Sequence, residues 1–504
     1  MMVAETLRQA SLRDLLSDLT DPAMLVDVSI HGLSLDSRKI QAGDLFIACA
    51  GLRHDGRHYI NAAIQQGASA VVFDTEQARL DIVPKSVPVI PVADLKHRLG
   101  LIAARFYQHP SRKLHTIGVT GTNGKTSVTH FIAGALRRQD EPGPCGLIGT
   151  LGYGLPGALD TATHTTPDAI RVQQLLAGFV DTGVHSVALE VSSHALDQGR
   201  VAGVDFDIAV FTNLSRDHLD YHGGMAQYAR IKRRLFRQPG LSAAVINIDD
   251  PEGQSICAEI TARMPVFGIS LQPGPARDDT LRATRVSQQA GGLVLEIQVQ
   301  GRAHKLETQL LGEVNAWNLL AALGVLLHLG LPAEEALCGL TGVRGVAGRM
   351  EAFHSANPQR PLVVVDYAHT PDGLKQALRS LRPLCRGALW CVFGCGGERD
   401  SGKRPQMGAI AGVLAEHVVL TNDNPRSESP QCIIEDILAG IPGEVAPEII
   451  GDRGAAITEA VRRAGPEDIV LIAGKGHEDY QLLGERRLPF SDRDFVARLL
   501  GEGS

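Results

Sequence analysis

The chain repeats one rhythm: a short apolar run, a cluster of glycine and polar residues, then a longer stretch of helical pattern. From residue 1 to about 100 the apolar runs are DLFIACAG, ASAVVFD and VPVIPV, with GLRHDGRHYINAAIQQGA among them. Apolar runs alternating with helix-like stretches predict a small α/β module, and no phosphate loop lies in it. From about residue 104 the rhythm returns at larger scale, in HTIGVT (115–120), HSVALE (185–190), IAVFTN (208–213) and AAVIN (243–247). Such runs with helical stretches between them predict a parallel, mostly buried sheet with crossover helices. QPGPARDDTLRATRVSQQAGG (272–292) is polar and rich in Gly and Pro, which predicts loops and edge strands; LGEVNAWNLLAALGVLLHLG (311–330) predicts a helix. After GVRGVAGRME (342–351) a third set follows: PLVVVDYAH, GALWCVFG, HVVLTND and EDIVLIAG, with helical stretches such as PDGLKQALRSL between. This reads as a second doubly wound unit. Its polar clusters follow the strands, at the edge where open α/β sheets bind ligands.

Composition narrows the picture. A chain of 504 residues is too long for one core and predicts about two to four domains. A net charge of −7 argues against general nucleic-acid binding, and 4% aromatic residues argue against stacking platforms for single strands. The N-terminus MMVAETLRQASLRDLLSDL has no apolar core of a secretory signal, and no apolar run reaches the length of about 18 residues that a membrane span needs. The 8 cysteines contain no C-x-x-C pair. They read as reduced thiols of a cytoplasmic protein rather than a disulfide frame or zinc site.

The strongest local signal is HTIGVTGTNGKTSVTHF (115–131): strand, glycine-rich turn, helix start. Gly121 and Gly124 let backbone N–H groups curl round phosphate oxygens, and the helix aims its positive end at them. Lys125 can reach the β- and γ-phosphates, and Thr126 can hold Mg²⁺. The usual spacing would put glycine where Val119 stands. EVSSHALDQGRV (190–201) and FTNLSRDHLDYHG (211–223) each follow a strand. Glu190 could bind a metal, or cap the helix after it; Asp217 and His218 could meet it at the sheet edge, or form a plain polar loop. Lys232 of YARIKRRLF lies in a helical stretch whose arginines also read as a solvated basic face. GCGGERDSGKRPQMG (394–408) offers Arg399, Lys403 and Arg404 to anions. DYAHTPDGL, TNDNPRSESP and AGKGHEDYQ complete a ring of polar loops, although turn chemistry alone would account for DNPR.

Taken in order, LDSRKIQAGDLF (35–46), GTNGKT, THTTP, EVSSHAL, FTNLSRDHLDYHG, YARIK, LGEVNAWNLLAA, GVAGRME, DYAHTPD, FGCGGERD, DNPR and AGKGHE resemble the ATP-dependent Mur ligases of peptidoglycan synthesis, over nearly the whole chain. The shorter glycine loop is that family's own form. The resemblance implies an α/β protein of three domains: a small N-terminal uridine-nucleotide domain (1–100), a central P-loop ATPase domain with a parallel sheet (101–346), and a C-terminal Rossmann-like amino-acid domain (347–504). It is strongest to the branch that joins meso-diaminopimelate to the D-Glu γ-carboxylate of UDP-MurNAc-L-Ala-D-Glu through an acyl phosphate. The same resemblance implies ATP contacts at Gly121, Thr122, Asn123, Gly124, Lys125, Thr126, Asn315, Asn318, Arg349, Asp366 and His369. It implies contacts to the UDP-MurNAc-dipeptide at Leu35, Ser37, Thr165, Thr166, Ser192, Gln198 and Arg200. Diaminopimelate would meet Arg399, Asp423, Asn424, Pro425, Arg426, Gly474 and Glu478. Lys125, Glu190, His218 and Lys232 would be catalytic. Mg²⁺ would be held by Thr126, Glu190, His218 and Lys232, the last carbamylated by CO₂; Ile231 stands before it where the family more usually has alanine. A cytoplasmic monomer without nucleic-acid or membrane partners is implied.

Sister ligases that add lysine or D-Ala-D-Ala, and folylpolyglutamate synthetase, are the nearest alternatives. Arg426 of DNPR offers a two-pronged partner for the extra carboxylate of diaminopimelate, and so disfavours lysine; EVSSHAL and GCGGERD disfavour the other two. A non-catalytic nucleotide-binding regulator or transport protein would need no amino-acid pocket, and Arg399, Asn424 and Glu478 speak against it.

Overall fold

A computed structural model describes residues 8–50, 55–75, 87–137, 145–275, 279–289, 291–299 and 301–501. Parts of the N-terminal stretch MMVAETLRQ, of GLRHDGRHY and of the polar segment 272–292 lie outside those residues. The chain forms two compact units, one of Met1–Gly118, Gln139–Ala209 and Arg234–Ser242, the other of Val119–Arg138, Val210–Arg233 and Ala243–Ser504.

The first unit opens with the expected α/β module. Gly32–Ser34, Asp44–Ala48, Ala70–Asp74 and Val89–Val92 form a four-stranded sheet, each strand parallel to the next. Leu45, Ile47 and Val72 join one apolar cluster with the helix Leu95–Phe106, while Phe46, Ala48 and Val71 join a second on the other face. That split follows from the period of two along a strand. Further along, Ser186–Glu190 runs parallel to Cys145–Gly149, which turns back antiparallel into Gly152–Leu155 and Ala158–Asp160. The short antiparallel strands add to the parallel strands expected here. CGLIG and GYGL are too short and too glycine-rich to read as strands by their pattern alone.

In the second unit Ala243–Asn247, Val266–Ser270 and Thr280–Gln289 are parallel neighbours, and Gly292–Val299 and Arg302–Thr308 add antiparallel strands. Thr280–Gln289 is paired on both sides, so it is an interior strand, not the edge strand its polarity suggested. The polar residues of this strand stand on its half-exposed face, which hides the buried Leu281 and Ala283 in the pattern. The helix Val314–His328 is buried almost all round and packs on Lys125–Ala135, Ala243–Asn247 and Val266–Ser270. A helix apolar on every side belongs in a core, and its two buried polar exceptions are Asn315 and Asn318.

The C-terminal sheet has the order Glu351–Phe353, Leu362–Asp366, Ile469–Ala473, Leu389–Phe393, His417–Leu420, Glu448–Ile449, with only the first strand antiparallel. Val364, Cys391 and Leu471 face one apolar cluster and Val365, Val392 and Ile472 the other, as a doubly wound sheet requires. Arg453 and Asp492, both 0% exposed, form a two-pronged ion pair at 2.7 Å. The same guanidinium donates to the carbonyls of Asn422 (3.4 Å) and Ala473 (3.0 Å). It thereby ties together the two loops that leave His417–Leu420 and Ile469–Ala473.

Candidate active site

The glycine loop follows the strand His115–Thr120 and ends at the helix Lys125–Ala135. Gly121 and Gly124 have φ of +150° and +86°. A Cβ on Gly121 would lie 1.8 Å from Thr212 Oγ1, and one on Gly124 2.6 Å from Asn318 Oδ1, so side chains are excluded at both positions. Asn123 is held from below: its N–H donates to Asn213 Oδ1 (3.0 Å), and its carbonyl accepts from Thr212 Oγ1 (2.6 Å) and Asn213 Nδ2 (3.1 Å). Thr122 meets Tyr228 Oη at 3.3 Å. Asn318 Nδ2 donates to Asn315 Oδ1 at 3.0 Å, which brings both predicted asparagines to this loop.

Two amines converge on one carbonyl. Lys125 Nζ donates to the oxygens of Gly121 and Thr122, each at 2.9 Å, and Lys232 Nζ donates to Gly121 O at 2.8 Å. Lys232 is 1% exposed and lies over the Tyr228 ring. A solvated basic face is thus ruled out for Lys232; the arginines around it point elsewhere. Burial, reinforced by the nearby charge of Lys125 and opposed by Asp217, holds its pKa well below the ordinary lysine value. Such a shift favours the neutral form of the amine, which is the nucleophilic one.

Asp217 accepts from His218 Nε2 (3.2 Å) and His369 Nε2 (3.5 Å). Burial pushes its pKa up, but the His369 bond and the charges of His369, His218 and Lys403 prevail and hold it far below the usual carboxylate range. His369 is fixed in turn, its Nδ1–H donating to Tyr367 O at 2.8 Å, and Lys403 Nζ donates to His369 O at 2.7 Å. Arg216 grips Asp400 through two bonds of 2.8 and 2.9 Å. Arg349 lies 4.1 Å over the Tyr367 ring and donates from Nη2 to Thr126 Oγ1 at 3.3 Å. Its buried Nη1 has no partner among the described residues, which leaves a cationic donor beside the phosphate loop. Asp366 accepts from the N–H groups of Met350 (2.7 Å) and Ala368 (2.8 Å). Burial raises its pKa against the pull of Arg349 and those bonds.

The loops after the C-terminal strands form the ring that the sequence implied. Asp423, Asn424 and Pro425 are buried, Arg399 is exposed, and Gly474 closes against Asp423. Asn424 Nδ2 donates to Glu478 Oε2 at 2.8 Å, and Arg426 Nη1 donates to Gly397 O at 2.6 Å. His218, Met350, Glu398 and Arg426 all take left-handed backbone without being glycine. Such strain, about 1–3 kcal/mol at each position, is retained where surrounding structure enforces it, and it gathers at functional loops.

In the first unit Glu190 ends its strand fully buried, accepting from Thr150 N (2.8 Å) and Thr150 Oγ1 (3.0 Å). It does not cap the helix that follows; Ser192 does, accepting from Ala195 N. Thr165 meets Thr150 at 3.1 Å, Thr166 Oγ1 donates to Glu190 O at 2.7 Å, and Arg200 donates to Thr166 O at 2.9 Å and to Gln198 Oε1 at 2.7 Å. Thr165, Thr166, Ser192, Gln198 and Arg200 therefore share one network with Glu190. Leu35 is exposed and Ser37 buried, at the turn after Gly32–Ser34. Sequence reading missed Thr150, Thr212, Asn213, Arg216 and Lys475. Each acts by touching a residue far away in the chain, and only a polar residue just past a strand hinted at the first three.

Three profiles match in chain order: Mur ligase family, catalytic domain (29–107), Mur ligase middle domain (119–326), and Mur ligase, glutamate ligase domain (348–476). The UDP-N-acetylmuramoyl-L-alanyl-D-glutamate–2,6-diaminopimelate ligase of Coxiella burnetii is 50% identical over 96% of this chain and 98% of its own length. This chain belongs to the Mur ligase family. The enzyme of the same name from Pseudomonas aeruginosa is 47% identical over 94% of this chain and 96% of its own. A solved structure bearing that name is 35% identical, with a TM-score of 0.68, covering 98% of this chain and 99% of the other. The MurF ligase of Thermotoga maritima, solved with ADP, is 18% identical over 88% of this chain and 93% of its own, with a TM-score of 0.62, and shares the fold. The three-domain α/β fold of Mur ligases is thus the fold of this chain. Among the described residues no helix is long and apolar enough to cross a membrane.

Proposed function

We propose that the chain is the ligase that joins meso-diaminopimelate to the D-Glu γ-carboxylate of UDP-MurNAc-L-Ala-D-Glu, with ATP as phosphoryl donor, in peptidoglycan synthesis. The observation that carries this is near-full-length identity to diaminopimelate ligases together with intact DNPR and GKGHE loops at the ends of the C-terminal strands. A carboxylate is a poor acyl donor, since oxide would have to leave. Phosphorylation turns it into an acyl phosphate; the diaminopimelate amine attacks the carbonyl carbon, and inorganic phosphate departs with the C–O electron pair.

The residues divide the work. The loop Gly121 to Thr126 holds phosphate oxygens through N–H groups other than those of Thr122 and Asn123, which bond Asn213, and Lys125 leaves its two loop carbonyls for the γ-phosphate. Arg349 neutralises charge as two anions approach. Asn315, Asn318, Asp366 and His369 take the adenosine end. Leu35 and Ser37 meet the uridine, while Thr165, Thr166, Ser192, Gln198 and Arg200 position the sugar-peptide. Arg399, Asp423, Asn424, Pro425, Arg426, Gly474 and Glu478 receive diaminopimelate. Mg²⁺ would be held by Thr126, Glu190, His218 and, as its carbamate, Lys232, whose donor atoms are mostly oxygens, as that ion prefers. The buried amine of Lys232, depressed in pKa, suits capture of CO₂. Mg²⁺ there would polarise phosphate oxygens and offset their charge. We assign the domains to 1–100, 101–346 and 347–504, and the setting to a cytoplasmic monomer.

ADP release from ATP is the test. It should require both UDP-MurNAc-L-Ala-D-Glu and diaminopimelate for steady turnover. Turnover that ignores the amino acid would contradict the assignment and favour a nucleotide-binding regulator.

A further inference from the structure

Lys475 stands inside AGKGHE, between two residues of the diaminopimelate site, and its ammonium is 0% exposed. It donates to Glu478 Oε2 at 3.0 Å and to Asn424 Oδ1 at 3.2 Å. Leu482 N also donates to Asn424 Oδ1, at 2.9 Å. With two N–H donors on Oδ1, the Asn424 amide can take only one orientation, and Nδ2 must face Glu478, to which it donates at 2.8 Å. Glu478 Oε2 therefore accepts from both Lys475 and Asn424, while Oε1 accepts from no donor among the described residues. The turn is locked locally, because Glu478 N donates to Lys475 O at 2.9 Å.

From this arrangement we infer that Lys475 is a positioning residue for amino-acid recognition. Buried behind the site, it sets the Asn424 amide and holds one oxygen of Glu478, so that the other oxygen is presented to an ammonium group of the incoming amino acid. The inference rests on the assignment of this loop ring to diaminopimelate. A half-buried carboxylate left without its cation reorients or takes up a proton, so the effect of losing Lys475 should run through Glu478 and reach only the amino-acid substrate.

The test measures KM and kcat for diaminopimelate, and KM for ATP, in Lys475→Met, Glu478→Gln and the double variant, with circular dichroism as a fold check. Lys475→Met should raise KM for diaminopimelate by about 30-fold or more and leave KM for ATP within about twofold. The double variant should be no worse than Glu478→Gln alone, because the two groups act as one unit. Additive losses, or equal rises in both KM values, would overturn the inference. Lys475→Gln, which keeps one donor, should recover part of the loss. It decides the matter should the Met variant not fold; failure of both to fold makes Lys475 a fold residue and overturns the inference. If the wild type does not use diaminopimelate, the functional assignment falls. If it does and Lys475→Met leaves KM unchanged, only the role of Lys475 falls.

Discussion

The glycine loop and the C-terminal loop ring both prepare for charged ligands, on opposite plans. In the loop the shape is set by Gly121 and Gly124, where side chains are excluded, and the groups proposed to meet the ligand are backbone N–H groups and the Lys125 amine. In the ring they are side chains held in place by their neighbours: Glu478 by the side chains of Lys475 and Asn424, Arg426 by the Gly397 carbonyl. A backbone cradle grips any polyphosphate of the right size. A pocket of oriented side chains rejects what leaves one of them unpaired, because an unpaired buried polar group is costly. On the proposed assignment one region supplies the driving force of the reaction and the other its choice of amine, so variants in the two should fail differently.

The largest effect should come from Lys125→Ala. Without charge at the γ-phosphate, single-turnover ligation should fall by about a thousandfold or more, while diaminopimelate binding, followed by calorimetry, is retained. Near-normal turnover in a folded variant would remove the loop from the ATP site. Lys232→Ala should be nearly inactive and recover partly with added short-chain carboxylic acids, which can take the anionic position; full activity without additives would make Lys232 a packing residue only. Stability separates the regions next. Asp492→Ala leaves the Arg453 guanidinium buried and unpaired beneath the ring, at a cost of about 3–5 kcal/mol. Urea unfolding should show that loss, and an unchanged midpoint would contradict the tie between the two loops.

The glycine loop was legible because its strand, turn and helix lie within a dozen or so consecutive residues and because glycine marks a backbone need. The C-terminal strands were legible for a related reason: VVV and VLIA, buried on both faces, are continuous apolar runs. What could not be read depends on distance along the chain. Lys475 meets Asn424 across the ends of two strands of one sheet, and Arg453 meets Asp492 where two helices far apart in sequence begin. Lys232 was masked by Arg230, Arg233 and Arg234, since a run of basic residues does not say which one turns inward. Thr280–Gln289 was masked by its own polar face.

The smallest effect concerns pH. Burial, with the charges of Arg349, Arg493, Lys475 and His369, pushes the His477 imidazole down to about 3 from 6.5. The unfolded chain binds that proton near 6.5 and the folded chain only near 3, so this contribution to stability is intact above the upper value and is lost as pH falls toward the lower one. His477→Gln should flatten the urea midpoint across that window; an unaltered slope would mean that His477 does not titrate there.

The contrast itself is tested most directly by kcat/KM for diaminopimelate and for lysine, at saturating ATP, in the wild type and in Arg426→Ala. Lysine lacks the second carboxylate and would leave Arg426 unmatched, a penalty of about 2–5 kcal/mol, or roughly 30- to several-thousand-fold. The wild type should prefer diaminopimelate by that factor. Arg426→Ala should narrow the gap while KM for ATP stays put, and Arg426→Lys should restore little, because a point charge cannot reproduce a two-pronged contact. Equal use of the two amino acids by the wild type, or a ratio unmoved by Arg426→Ala, would contradict the account.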